Sequence, residues 1–444
     1  MNGVRNLTEG STIRQLFRLA LPIMGTSFIQ MAYSITDMAW VGRIGSEAVA
    51  AVGAVGILTW LTTSVSLLNK VGSEVCVSQK IGIQEEDTAR AFASQNITMA
   101  LLVSLLWGGM LFAFAHPIIS LFKLAPPIAS DAADYLRIVS SAFPLLFLSA
   151  TFTGIHNAAG ISKVPFLISG TGLLCNMALD PLFILVFGWG TDGAALATWL
   201  SQGIVFALFL WQIKGRRGLL GGFPLLVKLR RDYVKRICTI GIPVVLFNAL
   251  FACINLFMAR IASTHGGHIG VMTLTAGGQI EAILWTTAQG ISTALSTFIG
   301  QNNAAGKTLR VQEAYQTSIK MTILFGSACM LLFLFFGTEV FSLIVPEQEA
   351  YIAGGIYLYI NGFSMIFMMC EITTQGMFYG LGRTMPPAVI SISLNLLRIP
   401  LAIVLAGCGM GVEGVWWAIS SSSIAKGAVS FLWFRTTTAN IRQT

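Results

Sequence analysis

The sequence predicts an all-α polytopic membrane protein with twelve transmembrane helices in two six-helix repeats. Only 10% of the 444 residues are charged and 55% are hydrophobic, whereas soluble domains are about 25% charged. Apolar runs long enough to cross a hydrocarbon core of about 30 Å recur along the whole chain. Short sequence matches also recur at offsets of 219–222 residues.

The apolar runs place the twelve helices and divide the chain. The first six cover 14–41, 47–70, 92–115, 131–157, 163–187 and 192–213, and the second six cover 233–262, 270–299, 315–337, 348–376, 385–407 and 413–434. We therefore expect an N-terminal lobe at 1–213 and a C-terminal lobe at 233–444. The basic stretch 214–232 is expected to link them in the cytoplasm.

The basic residues predict the orientation. An even number of spans puts both termini on one side, and most Lys and Arg fall on that side. Only Arg43, Lys123, Arg137 and Arg260 fall on the other side, and Arg398 lies mid-helix. Cytoplasmic loops are enriched in Lys and Arg, so both termini are expected in the cytoplasm. The net charge of +8 is then topological and does not indicate nucleic acid.

The two halves match in order. Leu21-Pro22 corresponds to Ile242-Pro243, and Asp192-Gly193 corresponds to Glu413-Gly414, both at an offset of 221. Asn176 corresponds to Asn395 at an offset of 219. Because six helices return the chain to its starting side, the sequence predicts two parallel repeats.

The first half carries polar residues at a similar depth in its outer portion, namely Asp37, Asn176, Asp180 and Thr198. An acid within a bilayer costs several kcal/mol unless it is paired or lines a wet cavity, and it marks an ion or substrate path by default. Oxygen ligands of this kind suit a proton or Na⁺. Pro22 and Pro181 lie on the same helices as the acids and are the expected hinges, because proline cannot donate the helical hydrogen bond.

The second repeat is an internal control for this interpretation. Asp37 corresponds to Met258, Asp180 to Ile399 and Thr198 to Ile419. A six-helix lobe therefore folds without these polar groups. Their presence in the first half indicates cation binding, with a possible Na⁺ site on the four residues.

Several alternatives stay open. Asp37 lies near a helix end and could pair with Arg43, Asp180 could belong only to the helix break at Pro181, and Asn176 could be structural. Glu281, Glu371 and Arg398 form a possible polar site in the second half. They could form a buried ion pair or contact the transported molecule.

Other classes of chemistry are disfavoured. The seven cysteines include no CxxC pair, so neither zinc nor a disulfide framework is expected. GWGTDG at 188–193 joins two membrane helices without a preceding strand, and GQNNAAGKT at 300–308 has five residues between its glycines where a phosphate loop has four. We expect no enzyme activity, no cofactor and no ATP, which leaves an ion gradient as the energy source.

The chain resembles the multidrug and toxic compound extrusion (MATE) family of prokaryotes over nearly its whole length. The resemblance rests on six motifs in order, LPIMG at 21–25, TDMAWVGRIGSEAVAAVG at 36–53, VSQKIG at 77–82, NMALDPLFI at 176–184, GTDGAALAT at 190–198 and FIGQNNAAGKTLR at 298–310. By motif, it implies that Asp37, Asn176, Asp180 and Thr198 bind the coupling cation. A second branch of the family uses acids in helices seven and ten; here helix seven has none.

The resemblance implies a function as well as a fold. It predicts two lobes in a V around a central cavity, in a bacterial or archaeal cytoplasmic membrane. The expected activity is export of small cationic or amphiphilic compounds against inward H⁺ or Na⁺, by a monomer in the lipid bilayer. The alternative is a lipid-linked precursor flippase of the same broad architecture, which would need basic residues in its cavity; only Arg398 is well placed.

Overall fold

The computed structural model describes residues 5–214 and 221–441, and these contain helices but no strand. The first half forms α1 (Thr12–Val41), α2 (Ser46–Gly82), α3 (Glu86–Ala113), α4 (Ala115–Ser120), α5 (Pro126–Ser141), α6 (Phe143–Ala158), α7 (Lys163–Pro181) and α8 (Gly190–Lys214). The second half forms α9 (Arg231–Ala304), α10 (Thr308–Ser342), α11 (Gln348–Gly362), α12 (Met365–Gly380), α13 (Met385–Leu396), α14 (Arg398–Leu405) and α15 (Gly411–Ile441). The predicted all-α class is confirmed.

The predicted spans are all helical. By length and composition, seven stretches of the described residues can cross a membrane, or up to nine if each of two bent helix pairs is one span. Two of these stretches each hold two predicted helices, because α9 breaks at Gly267 and the run Met385–Phe434 breaks at Gly409. Together with the 30-residue α1, they account for the twelve helices.

Two predicted helices are not straight. The span predicted at 131–157 is the pair α5 and α6, bent by 45°, and the span predicted at 348–376 is the pair α11 and α12, bent by 54°. Pro144 follows the first break at Ala142 and lacks the N–H that a continuous helix would need. The second break has no proline at its junction. It stands at the position in the second repeat that corresponds to the first break.

The helix α2 is longer than predicted. It continues to Gly82, whereas the apolar pattern predicts an end near residue 70. Its last turns carry Ser73, Glu74 and Ser78, all of which are buried. Since these polar residues face protein and not lipid, the apolar pattern ends before the helix does.

The duplication is visible in the backbone. Five pairs of residues with positive φ stand 221 or 222 residues apart, namely Gly45 and Gly267, Gln84 and Gly306, Gly160 and Gly382, Gly188 and Gly409, and Gly190 and Gly411. A π-helical turn stands at the end of the fifth predicted helix, at Leu182–Val186, and another at the end of the eleventh, at Ala406–Met410. The same bends therefore occur at the same places in each repeat.

The described chain divides into two compact units. Unit 1 holds the N-terminal segment through Gly10, Phe17–Val245 and Gly300–Lys307, and unit 2 holds Ser11–Leu16, Leu246–Ile299 and the chain from Thr308 onward. The predicted linker 214–232 includes 215–220, which lie outside the described residues. The lobe boundaries at 213 and 233 remain a prediction.

Each unit has its own apolar core. In unit 1 the core includes the fully buried rings of Phe147, Phe152 and Phe209. In unit 2, Tyr357 and Trp416 meet edge to face with ring centroids 4.9 Å apart. Each polar cluster described below is set against such a core.

Candidate functional site

Helices α1, α7 and α8 of unit 1 carry the four residues predicted to bind a cation. Asn176 and Asp180 are fully buried on α7. Asp37 on α1 is partly exposed as a residue, but its Oδ1 atom is buried. Asp37 and Asp180 interact electrostatically, and Thr198 on α8 reaches the same group of side chains through Tyr33.

A hydrogen bond fixes the two α7 residues to each other. Asn176 Nδ2 donates to Asp180 Oδ1 at 3.0 Å. The pair is spaced i, i+4, so both side chains leave the same face of the helix. The bond leaves Asn176 Oδ1 and Asp180 Oδ2 buried without a partner among the described residues.

Two tyrosines and a serine, which the sequence analysis did not single out, also belong to this group of side chains. The Tyr33 hydroxyl lies near Thr198 and Ser201 without forming a hydrogen bond to either, and it is within electrostatic range of Asp37 and Asp180. Tyr135, buried on α5, lies within range of the same two acids. The spacing of Tyr33 before Asp37 (i, i+4) and of Ser201 after Thr198 (i, i+3) was a usable signal; Tyr135 has no such signal.

The pairing of Asp37 with Arg43 is not observed. The Arg43 guanidinium lies over the Trp40 ring, 4.3 Å from its centroid. Within the described ranges, no basic side chain lies within ion-pair distance of Asp37. Arg43 is held by the aromatic face and Asp37 stays with the cluster.

We refer to Tyr33, Asp37, Tyr135, Asn176, Asp180, Thr198 and Ser201 as the unit 1 cluster. Among the residues described, five of its buried oxygen atoms have no hydrogen-bond partner, namely Tyr33 OH, Asp37 Oδ1, Asn176 Oδ1, Asp180 Oδ2 and Ser201 Oγ. Buried oxygens are normally satisfied, so five in one cluster leave open positions for hydrogen-bond or ion partners. Two carboxylates with neutral oxygens suit H⁺ or Na⁺.

The backbone next to Asp180 is specialised. Helix α7 ends at Pro181 and continues into the π-helical turn, where Phe187 N donates to Leu182 O at 2.9 Å. Gly193 then brings α8 back against this turn, so closely that a Cβ at Gly193 would lie 2.9 Å from the Phe183 carbonyl. π-Helical turns are frequent at functional sites.

In the second repeat, the corresponding positions are apolar core. Met258 is buried, and Ile399 and Ile419 pack on the core of unit 2. Asn395, the counterpart of Asn176, is buried with neither amide atom bonded among the described residues. The unit 1 cluster is thus an addition to the shared repeat and not a requirement of it.

The second polar group lies in unit 2 and includes a residue that the sequence did not single out. Lys426 Nζ lies 3.0 Å from Glu371 Oε2. Ser391 Oγ donates to Glu371 Oε1 at 2.5 Å and Gln375 Nε2 donates to it at 3.2 Å. Glu371 therefore does form a buried ion pair, but with Lys426 and not with Arg398.

Arg398 and Glu281 occupy a different part of that group. Arg398 Nε donates to Ser422 Oγ at 2.6 Å and Arg398 Nη2 donates to Ser423 Oγ at 2.9 Å. Glu281 lies beside the Tyr357 hydroxyl, and its Oε1 atom has no partner among described residues. Arg398 interacts electrostatically with both Glu281 and Glu371.

Comparison with known proteins decides the family. The MatE family model matches the chain twice, over residues 22–182 and 243–404. The chain belongs to the MatE family. Each match covers one repeat, and their starts differ by 221 residues, the offset already seen in the sequence and in the backbone.

Relatives and solved structures agree with this MATE assignment. The chain is 25% identical over 439 residues to the "Probable multidrug resistance protein NorM" of Thermotoga maritima, covering 95% of this chain and 92% of that protein. It is 24% identical to the FAD transporter of Shewanella oneidensis, covering 94% and 93%. A crystal structure of MATE in complex with MaD3S superposes with a TM-score of 0.94 at 22% identity, covering 100% of both chains.

This membership fixes the class of activity. The protein is a multi-pass membrane transporter and not an enzyme, and its relatives are named for multidrug resistance. MATE transporters need no cofactor and are coupled to ion gradients.

Proposed function

We propose that this MATE transporter exports cationic or amphiphilic organic compounds in exchange for inward H⁺ or Na⁺, and that the ion binds in the unit 1 cluster. The observation that carries the proposal is the set of five unpartnered buried oxygens shared by Tyr33, Asp37, Asn176, Asp180 and Ser201. The second repeat lacks the acids at matching positions, which argues against a purely structural role.

The coupling follows from charge neutralisation. A cation that reaches Asp37 and Asp180 removes the repulsion between two carboxylates in a poorly hydrated site. Contacts between α1 and α7 then become more favourable. This approach of the two helices competes with binding of the exported compound. The compound is then released outward.

The two hinges proposed are Pro22 and Pro181. Pro22 lies within α1, and its own carbonyl accepts a hydrogen bond from Thr26 Oγ1 at 2.9 Å. Pro181 lies where α7 passes into the π-helical turn, one residue after Asp180. Because each proline removes a backbone hydrogen bond, α1 and α7 can bend at modest cost when the cluster changes charge.

The direction of ion movement rests on the proposed topology. With both termini in the cytoplasm, a membrane potential that is negative inside favours inward cation entry by about 2.3 kcal/mol per charge per 100 mV. The alternative flippase would need several basic groups for a pyrophosphate headgroup. Of the two buried basic side chains described in unit 2, Lys426 is engaged by Glu371, which leaves Arg398 for such a headgroup.

The test is dye export from proteoliposomes under an H⁺ gradient or a Na⁺ gradient applied separately. We expect the wild-type protein to move rhodamine 123 under one of the two gradients. Asp37→Asn should lower gradient-driven transport at least tenfold with the unfolding temperature unchanged, whereas Asp131→Asn, an exposed acid, should have no effect. Full transport by Asp37→Asn would refute the proposal.

A further inference from the structure

Glu371 and Lys426 neutralise each other within the polar group of unit 2. The carboxylate holds the Lys426 ammonium at 3.0 Å and accepts hydrogen bonds from Ser391 and Gln375. Both charged side chains are buried, at 2% and 6% side-chain exposure. Glu371 therefore has a complete set of partners without any ligand.

Arg398 lacks such a partner. It is 5% exposed, and within the described ranges no carboxylate lies within 4.0 Å of it. Its guanidinium donates hydrogen bonds to two neutral hydroxyls, those of Ser422 and Ser423. A guanidinium has five N–H donors in a planar fork that fits carboxylate and phosphate groups. The serines thus orient a cation without neutralising it.

Glu281 is the complementary case. Its residue is partly exposed, its Oε1 atom is buried without a hydrogen-bond partner in the described part of the chain, and the Tyr357 hydroxyl lies against its carboxyl group. Glu281 and Arg398 are within electrostatic range but form no ion pair. The Arg398 guanidinium lies over the Phe251 ring, 6.0 Å from its centroid.

Leaving two opposite charges unpaired in a poorly hydrated site is costly. The penalty for a buried charge is several kcal/mol and is recovered only with close partners. Direct contact between Glu281 and Arg398 would recover it, yet the structure keeps them apart. A molecule with both charges would recover it by bridging them.

We propose that this part of unit 2 binds zwitterionic organic compounds, with the anionic group on Arg398 and the cationic group toward Glu281. The proposal rests on the proposed export function and narrows its substrate class. A carboxylate on Arg398 would accept N–H donors from the fork that Ser422 and Ser423 hold in place. Phe251, which is partly exposed, supplies aromatic surface for the body of the compound.

The test is equilibrium binding of two matched dyes to the purified full-length protein, followed by fluorescence anisotropy. Rhodamine 123 is a cationic methyl ester, and its free acid is a zwitterion with the same ring system. We expect the free acid to bind at least as tightly as the ester. Arg398→Gln should weaken the free acid at least tenfold and the ester less than twofold, and Glu281→Gln should weaken both.

A second variant tests the same site if the Arg398→Gln protein does not fold. Ser422→Ala with Ser423→Ala keeps the cation but removes its two orienting bonds, and should weaken the free acid threefold or more while sparing the ester. Equal losses for both dyes, or a wild-type protein that prefers the ester tenfold, would overturn the proposal. Asp131→Asn, an exposed acid outside both polar groups, should bind both dyes normally. Binding is measured without a gradient, so a protein that binds the free acid as expected but transports no dye under either gradient would show a failure of ion coupling and not of zwitterion binding.

Discussion

At the scale of single residues, the unit 1 cluster and the core of unit 2 show what a duplicated chain requires and what it adds. Asn176 and Asn395 stand at matching positions, and both are buried. Asn176 donates to Asp180 at 3.0 Å, whereas Asn395 has no partner among the described residues. The same residue type therefore has different surroundings in the two repeats.

This difference predicts opposite results for one substitution. Asn176→Leu removes a hydrogen bond to a carboxylate, of a type worth about 1.5–3 kcal/mol, and should weaken cation-driven transport at least tenfold. Asn395→Leu replaces an unbonded buried amide with an apolar group of similar size, and should leave transport unchanged and the unfolding temperature equal or higher. Proteoliposome transport and thermal unfolding check the pair. Equal loss of transport in both variants would mean that the asparagines serve the fold alike.

The sequence predicts part of this site for a clear reason. Asp37, Asn176, Asp180 and Thr198 interrupt apolar helices, and three of them lack a polar counterpart in the other repeat. Their mutual approach within unit 1 is seen only in the structure. The sequence did not predict Tyr135 or Lys426 as site residues. Each reaches its polar group from a helix that carries no predicted site residue at helical spacing from it.

At the scale of helices, the return from α7 to α8 positions Asp180 and Thr198. A Cβ at Gly193 would lie 2.9 Å from the Phe183 backbone, and a Cβ at Gly414 would lie 2.6 Å from the backbone of Ala406. Phe183, Phe187 and Trp189 pack around the first turn, with ring centroids 5.1–5.8 Å apart. The turn is therefore held by close backbone packing on one side and aromatic packing on the other.

Gly193→Ala should disturb this turn. The added methyl group forces α8 away from the π-helical turn, at a cost of about 1–3 kcal/mol, and should lower both the unfolding temperature and transport. Gly56→Ala in α2 is the matched control, since its Cβ would meet nothing within 4 Å, and alanine stabilises a helix by about 0.5–1 kcal/mol over glycine. Thermal unfolding in detergent compares the two. A Gly193→Ala protein as stable as Gly56→Ala would contradict the packing described here.

Helix positions follow well from the sequence, whereas breaks do not. Apolar runs locate every predicted span because each must fill the bilayer. The bends between α5 and α6 and between α11 and α12 occur within apolar runs, where hydrophobicity does not change. The extension of α2 to Gly82 is missed for the opposite reason, since its polar residues are covered by protein.

At the scale of the whole molecule, the duplication sets the topology. The N-terminal segment lies at the same end as the 300–307 segment, because Gln301 Oε1 accepts from Leu7 N at 3.1 Å and Lys307 Nζ donates to Thr8 O at 2.8 Å. Helix α10 starts just after that segment and runs 28 residues before it breaks at Phe336, about 42 Å, which is more than the hydrocarbon core needs. Its two ends therefore reach opposite membrane surfaces.

The proposed orientation is tested with two exposed leucines of this region. Leu309 is 81% exposed near the start of α10, and Leu343 is 85% exposed just after its end. In a background without the seven native cysteines, Leu343→Cys should react with a membrane-impermeant maleimide in intact cells, because it lies on the outer side. Leu309→Cys should react only after the cells are permeabilised. The reverse pattern would place the termini outside and contradict the proposed direction of transport.

The central claim is that Asp37 and Asp180 hold the coupling ion, and cation release on dye binding tests it most directly. Rhodamine 123 is added to purified protein in weakly buffered solution, with a pH indicator following protons and radioactive sodium following Na⁺. The wild-type protein and Asp131→Asn should release one of the two ions, and Asp37→Asn with Asp180→Asn should release neither. Undiminished release from that double variant, at unchanged dye affinity, would contradict the account.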